Sequence, residues 1–244
     1  MGAVLGADLM ASRTAILTAL LLTAAAAPAA AQIPDPSNAS LSSVDRLRAL
    51  VERMKIEQKG FQTLVAKFEQ ETSTEMLVEA ERSTGTFFYE APDKVRWQYD
   101  EPTPKVIVIN GQELLTWYQD LQRAEKVQVG RYSDAVFKYL GASGSLDTLM
   151  DYFSLRVDFP KGNEPYRIDL VPRYKRVEKR LREMSISIDG RLFVPVELSY
   201  VEPNGDSSHY VFKDFRVNDP LPAAHFDLQV PAGVEVRVIA ASGQ

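Results

Sequence analysis

The sequence predicts a mostly β protein: a long, curved antiparallel sheet with one helix ahead of it and a small helical lid over one face. Three observations lead there. Period-two alternation of apolar and polar residues dominates the chain after residue 60, turn signals separate the alternating runs, and one earlier stretch has helical spacing instead. The most informative run is residues 85–102, GTFFYEAPDKVRWQYDEP. Within it Val95, Trp97 and Tyr99 take one face, while Lys94, Arg96, Gln98 and Asp100 take the other. Pro92 and Pro102 punctuate the run, since proline lacks the ladder donor and restricts the residue before it.

Taken in order, residues 1–31 read as a signal peptide. Arg13 precedes the apolar run TAILTALLLTAAAA, and Ala29, Ala30 and Ala31 offer a small-residue cleavage site before Gln32. The run is short for a membrane span, so cleavage and export to the periplasm are expected. Residues 32–43, QIPDPSNASLSS, read as a flexible leader, and a single domain is expected over 44–240. In VDRLRALVERMKIEQ, residues Val44, Leu47, Leu50, Val51 and Met54 recur at helical spacing, with Ser43 as the predicted N-cap and Gly60 as the stop. Leu64, Ala66 and Phe68 then open the first strand.

Asn110-Gly111 joins the apolar runs VIVI and LLTWY, a strong hairpin signal, and predicts paired strands over 105–109 and 113–118. Further strands are predicted over 156–159, 166–171, 184–189, 194–201, 208–215 and 234–238. Asp189-Gly190 and Asn204-Gly205 mark two more turns. Residues 134–140 and 145–150 break the pattern as short helices around Gly141 and Gly144, and can only pack on one face of the sheet. The charged run RYKRVEKRLR at 173–182 reads as a solvated hairpin tip, or, functionally, as a patch for anionic lipid headgroups.

Chemistry is sparse. The chain has no cysteine, which excludes a disulfide framework and a lipid-anchoring cysteine alike. A net charge of −5 does not suggest a nucleic-acid binder. Two histidines, His209 and His225, both in strand patterns, and no thiols give no metal ligand set. GASGS at 141–145 is only loosely like a nucleophile elbow around Ser143, because the final glycine is displaced, and a joint between two helices explains its glycines better. There is no P-loop and no dinucleotide-binding fingerprint. No catalytic residue, cofactor or metal is expected. The aromatics are spent on strand faces, one face expected to be solvated and the other to bind.

The order of glycine, aromatic strand, Pro-x-Lys, Arg-Trp-x-Tyr and second proline in 85–102 resembles the LolA family of periplasmic outer-membrane lipoprotein carriers. AKFEQ at 66–70, VIVINGQELLTWYQDLQRAEK from Val106 onward, and Phe226, Leu228, Pro231, Gly233 and Val234 near the end follow that family's pattern in order. The resemblance implies an unclosed antiparallel β-barrel, a helical lid and an apolar cavity that takes acyl chains. It places Val95 and Trp97 among interior, lipid-contacting residues. Phe87, Tyr89, Tyr99, Ile107 and Ile109 join them by strand parity, and Phe137 and Leu140 by the lid reading. The implied protein is a monomeric chaperone and not an enzyme. It would take acylated lipoproteins from an inner-membrane ABC transporter and deliver them to an outer-membrane lipoprotein receptor. Where characterised carriers have a lid-holding arginine before the turn proline, this chain has Ala91, leaving Arg96 or Lys94 as candidates for that role. The rival expectations are a periplasmic lipid-binding or envelope-stress sensor without delivery, an esterase acting through Ser143, and an adaptor pairing through a sheet edge.

Overall fold

A computed structural model describes residues 35–75, 79–111, 113–128, 150–160, 162 and 164–239. The chain divides into Met1–Ile33 and Pro34–Gln244, and every described residue belongs to the second part. The signal peptide and the helices predicted over 134–140 and 145–150, apart from Met150, lie outside the described residues.

Helix α1 (Ser43–Lys59) comes first, capped by Ser42 and not by Ser43. The Ser42 Oγ accepts from the Asp45 backbone N–H at 3.1 Å and donates to the Asp45 carboxylate at 2.7 Å, which satisfies one of the free N–H groups of the first turn. Gly60 ends the helix by returning its N–H to the Glu57 carbonyl. The buried stripe is Ala49, Leu50, Val51 and Met54. Val44, counted in that stripe from its spacing, is instead 67% exposed, because the first turn projects beyond the surface that α1 covers.

Twelve strands follow: β1 (Thr63–Ser73), β2 (Glu81–Glu90), β3 (Lys94–Glu101), β4 (Lys105–Asn110), β5 (Glu113–Tyr118), β6 (Arg123–Gln128), β7 (Phe153–Asp158), β8 (Tyr166–Pro172), β9 (Glu183–Ile188), β10 (Pro195–Val201), β11 (Ser207–Val217) and β12 (Glu235–Ile239). They make one sheet in the order β12-β6-β5-β4-β3-β2-β1-β11-β10-β9-β8-β7. All pairs are antiparallel except β12 with β6, and the end strands β12 and β7 do not pair with each other, so the barrel is unclosed. The predicted hairpin at Asn110-Gly111 is present, with Gly111 at φ +60° where a side chain would be strained. The run at 173–182 is the exposed tip between β8 and β9 and carries a single turn of helix, α2 (Lys175–Glu178).

Three expectations change. Residues 123–128, for which no strand was predicted, form β6; only Ala124 of that strand is fully buried, so the apolar alternation that would have betrayed it is missing. His225 sits in a short 3₁₀ turn, Ala223–Phe226, and not in a strand, whereas His209 is in β11. The outer face of the sheet is not simply solvated either. Val65, Val106, Val108 and Ala124 are buried there, beneath a segment that leaves β11, crosses the outer face and returns as β12 beside β6. Arg96 fastens this crossing, with its Nη1 donating to the His225 carbonyl at 3.0 Å, while Phe88 packs edge-on against the His225 ring at 4.2 Å between centroids.

Candidate functional site

The inner face is built by strand parity. Register places Phe87 opposite Trp97, Trp97 opposite Ile107, Tyr89 opposite Val95 and Val95 opposite Ile109. These six residues and Tyr99 therefore share one face. Phe87, Tyr89, Val95, Trp97, Tyr99 and Ile109 are buried and Ile107 is half-buried against them. Phe137 and Leu140 lie outside the described residues. Arg96 and Lys94 alternate with this set and belong to the opposite face. Arg96 holds the C-terminal crossing, and Lys94 pairs with Glu90 at 2.5 Å.

The same face continues across the sheet into residues not picked out from the sequence: Phe68 on β1, Tyr210 and Phe212 on β11, Leu198 on β10, and Ile186, Ile168 and Leu170 beyond. Alternation in SHYVF was the available signal for Tyr210 and Phe212; what the sequence lacks is any sign that β11 lies beside β1. The aromatics contact one another edge-on. Trp97 lies 5.0 Å from Phe68, 4.9 Å from Phe87 and 5.4 Å from Tyr210 between ring centroids. Trp97 and Tyr210 stand three strands apart in the sheet, about 14 Å along a flat one, so ring contact between them requires a tightly curled surface. Two small inward residues permit the curl: Ala66 on β1 and Gly85 on β2. The Phe68 ring lies over Gly85, where an added Cβ would meet it at 2.6 Å.

Helix α1 shares this interior. Leu50, Val51 and Met54 belong to the same buried cluster as the aromatic wall. The helix is held at its margins by Arg46, whose guanidinium stands 3.9 Å from the Phe159 ring centroid, and by Arg53, 5.0 Å from that of Phe193. The wall thus packs against a helix whose inward side chains are as apolar as itself.

Tyr99, Tyr210 and Lys105 are ionisable groups of the inner face whose protonation burial shifts. Burial pushes the Tyr99 hydroxyl up to about 12, partly offset by its hydrogen bond with Tyr210. Burial first, and the neighbouring tyrosines second, push Tyr210 well above its ordinary value. The Lys105 ammonium is pulled below the usual lysine range by burial, with Glu81 opposing. Phenols kept neutral in an aromatic wall are suited to binding and hydrogen-bond donation.

Comparison with known proteins agrees with this geometry. The family profile described as "Outer membrane lipoprotein carrier protein LolA" matches residues 59–229. A protein named outer-membrane lipoprotein carrier protein from Alkalilimnicola ehrlichii is 33% identical over 183 residues, 71% of this chain and 77% of that one. Its namesake from Methylococcus capsulatus is 32% identical over 71% of this chain and 80% of its own. One from Methylibium petroleiphilum is 26% identical over 81% and 90%. Among the described residues no helix is long and apolar enough to cross a membrane. With the match spanning most of the sheet and its aromatic wall, the chain belongs to the LolA family of outer membrane lipoprotein carrier proteins.

Proposed function

We propose that this protein is a periplasmic chaperone that receives acylated lipoproteins from an inner-membrane transporter and delivers them to an outer-membrane receptor, with the acyl chains held on the inner face of the sheet. The observation that carries the reading is the continuous apolar wall around Trp97 on the inner face of an unclosed sheet, the face against which α1 packs. Each methylene removed from water contributes about 0.8 kcal/mol, so a long acyl chain gains on the order of 10 kcal/mol in such an interior. Exchange of α1 side chains for acyl chains replaces one apolar contact with another. Cargo can therefore enter without a large net cost, and affinity stays moderate enough for release. Residues 134–140, including Phe137 and Leu140, serve in this reading as the lid. With no nucleotide-binding motif, loading and unloading are driven by the partners on either side, and the carrier itself does no chemistry.

The two tryptophans make the test. Trp97 faces the interior, while Trp117 on β5 faces outward, opposite Val106. A lipopeptide with brominated acyl chains should quench the fluorescence of Trp97 in a Trp117→Phe variant and leave Trp117 unquenched in a Trp97→Phe variant. Equal quenching of both, or of neither, removes the interior from the reading. Delivery is tested by transfer of the bound lipopeptide to acceptor membranes bearing the receptor; binding without transfer would favour a lipid sensor.

A further inference from the structure

One strongly charged segment has no part in holding cargo on the inner face. The run RYKRVEKRLR at 173–182 contains six cations and one carboxylate, a net +5 in a chain whose total is −5, so the remaining residues together carry −10. Arg173, Lys175, Arg176, Lys179, Arg180 and Arg182 are all exposed. The tip they occupy is nevertheless fastened to the body of the protein. Its two aliphatic residues, Val177 and Leu181, are half-buried and pack against the core cluster of the interior. At its ends the Arg173 N–H donates to the Tyr152 carbonyl at 2.9 Å, and the Arg182 N–H donates to the Val201 carbonyl at 2.8 Å. Apolar side chains therefore hold the turn down while the cations project into solvent.

Two apolar groups are exposed beside these charges: Tyr174, at 46%, and Val171 at the end of β8, at 56%. The Arg176 guanidinium lies 5.2 Å from the Tyr174 ring centroid, so cation and aromatic stand together. A tip that served solubility alone would mix charges of both signs and would have no use for an exposed aromatic. Cations interleaved with a tyrosine suit a different setting. At a bilayer surface the basic groups meet anionic headgroups, and an amphipathic ring lies with its body toward the acyl chains and its hydroxyl in the wet layer.

We infer that residues 171–182 form a docking tip for an anionic phospholipid bilayer. The inference stands on charge, exposure and packing, and does not depend on the cargo reading. Each Lys or Arg held close to such a surface strengthens binding about fivefold. Screening over about 8 Å at physiological salt keeps the acidic remainder of the chain from cancelling that attraction. A bilayer fits the tip better than an acidic protein does: headgroups close around a projection of any shape, whereas protein interfaces need a broad complementary patch and are depleted in lysine. Because Val177 and Leu181 tie the tip to the interior cluster, docking sets that end of the sheet against the membrane.

The test is co-sedimentation of the processed protein with vesicles of phosphatidylcholine alone and of phosphatidylcholine mixed with phosphatidylglycerol. Binding is expected on the mixed vesicles only. It should vanish as salt rises from about 0.1 M to about 1 M, which shortens the screening length from about 10 Å to about 3 Å. A Lys175→Gln/Lys179→Gln variant should bind about 25-fold more weakly. Removing two charges elsewhere, with Arg48→Gln/Arg82→Gln, whose side chains are 68% and 83% exposed, should leave binding unchanged. The tip variant should still take up the brominated lipopeptide as the unaltered protein does, which also shows that it is folded. Equal binding to both kinds of vesicle, binding that survives in the tip variant, or an equal loss in the control variant overturns the docking tip. So does loss of lipopeptide and vesicle binding together, since the vesicle signal would then come from cargo uptake. No binding to anionic vesicles overturns it as well and leaves an acidic protein surface as the tip's partner. Tip-dependent vesicle binding by a protein that takes up no lipopeptide supports the docking tip and removes the carrier reading alone.

Discussion

Gly85 shows how one residue sets the shape of the interior. A Cβ at this position would lie 2.1 Å from the Gln98 carbonyl oxygen on the neighbouring strand and 2.6 Å from the Phe68 ring. The carbonyl is fixed by the β2–β3 ladder, so the strand pair itself has to yield. Gly85→Ala should cost about 3 kcal/mol, through overpacking more than any change in backbone freedom. The urea midpoint measures it, and a loss under roughly 0.5 kcal/mol would place the Phe68 ring elsewhere. At Tyr99 the consequence appears in pH. Its folded pKa of about 12 exceeds the ordinary value of 10, so its contribution is fully present below pH 10. It is lost as pH rises toward 12, because the unfolded chain sheds the proton first. Two pK units correspond to roughly 3 kcal/mol. Tyr99→Phe should therefore flatten the alkaline fall in stability, and unfolding midpoints between pH 8 and 11.5 for the two proteins check this.

Between elements, the junction of α1, β1 and β11 rests on Asn218. Its backbone is left-handed at φ +61°, a conformation asparagine tolerates better than most residues. Its side chain accepts from the Gln62 N–H at 2.7 Å and donates to the Gly60 carbonyl at 2.9 Å, while its own N–H reaches the Thr63 carbonyl. Asn218→Ala combines orphaned backbone groups with a strained φ and should cost about 2–3 kcal/mol. Asn218→Gly relieves the strain and should cost less by about 1 kcal/mol, a ranking that thermal unfolding resolves. None of this is visible in the sequence, where Asn218 is one polar residue in a loop. The wall on β2 to β4 was legible because each strand there alternates cleanly and Asn110-Gly111 fixes one register. Phe68, Tyr210 and Phe212 were not legible as part of the same site, because β1 pairs with a strand 134 to 153 residues away and no local pattern encodes that pairing. β6 was hidden for a different reason: next to the sheet edge, charged Arg123, Glu125 and Lys126 can remain half-exposed in a strand, so burial imposes little pattern.

At the scale of the whole molecule, the interior is shared between a sheet that cannot rearrange cheaply and a helix that can. Moving any strand of β1, β2, β3 or β11 breaks a ladder on each side, whereas α1 keeps its own backbone hydrogen bonds wherever it goes. Its hold on the sheet includes Leu47, Leu50, Val51 and Met54 and the two arginine–aromatic contacts at its margins, interactions of about 1 kcal/mol each for the latter. In the proposed function, acyl chains would compete for the same aromatic surface that these aliphatic side chains cover. Cargo should therefore displace α1 and leave the strands in place. Hydrogen exchange with and without a bound lipopeptide distinguishes the alternatives. Displacement predicts faster exchange at amides of α1 together with unchanged or slower exchange in β1, β2 and β11, since bound ligand stabilises the folded sheet by mass action. Slower exchange in helix and strands alike would mean that cargo occupies space beside α1, and that opening is carried by another part of the chain.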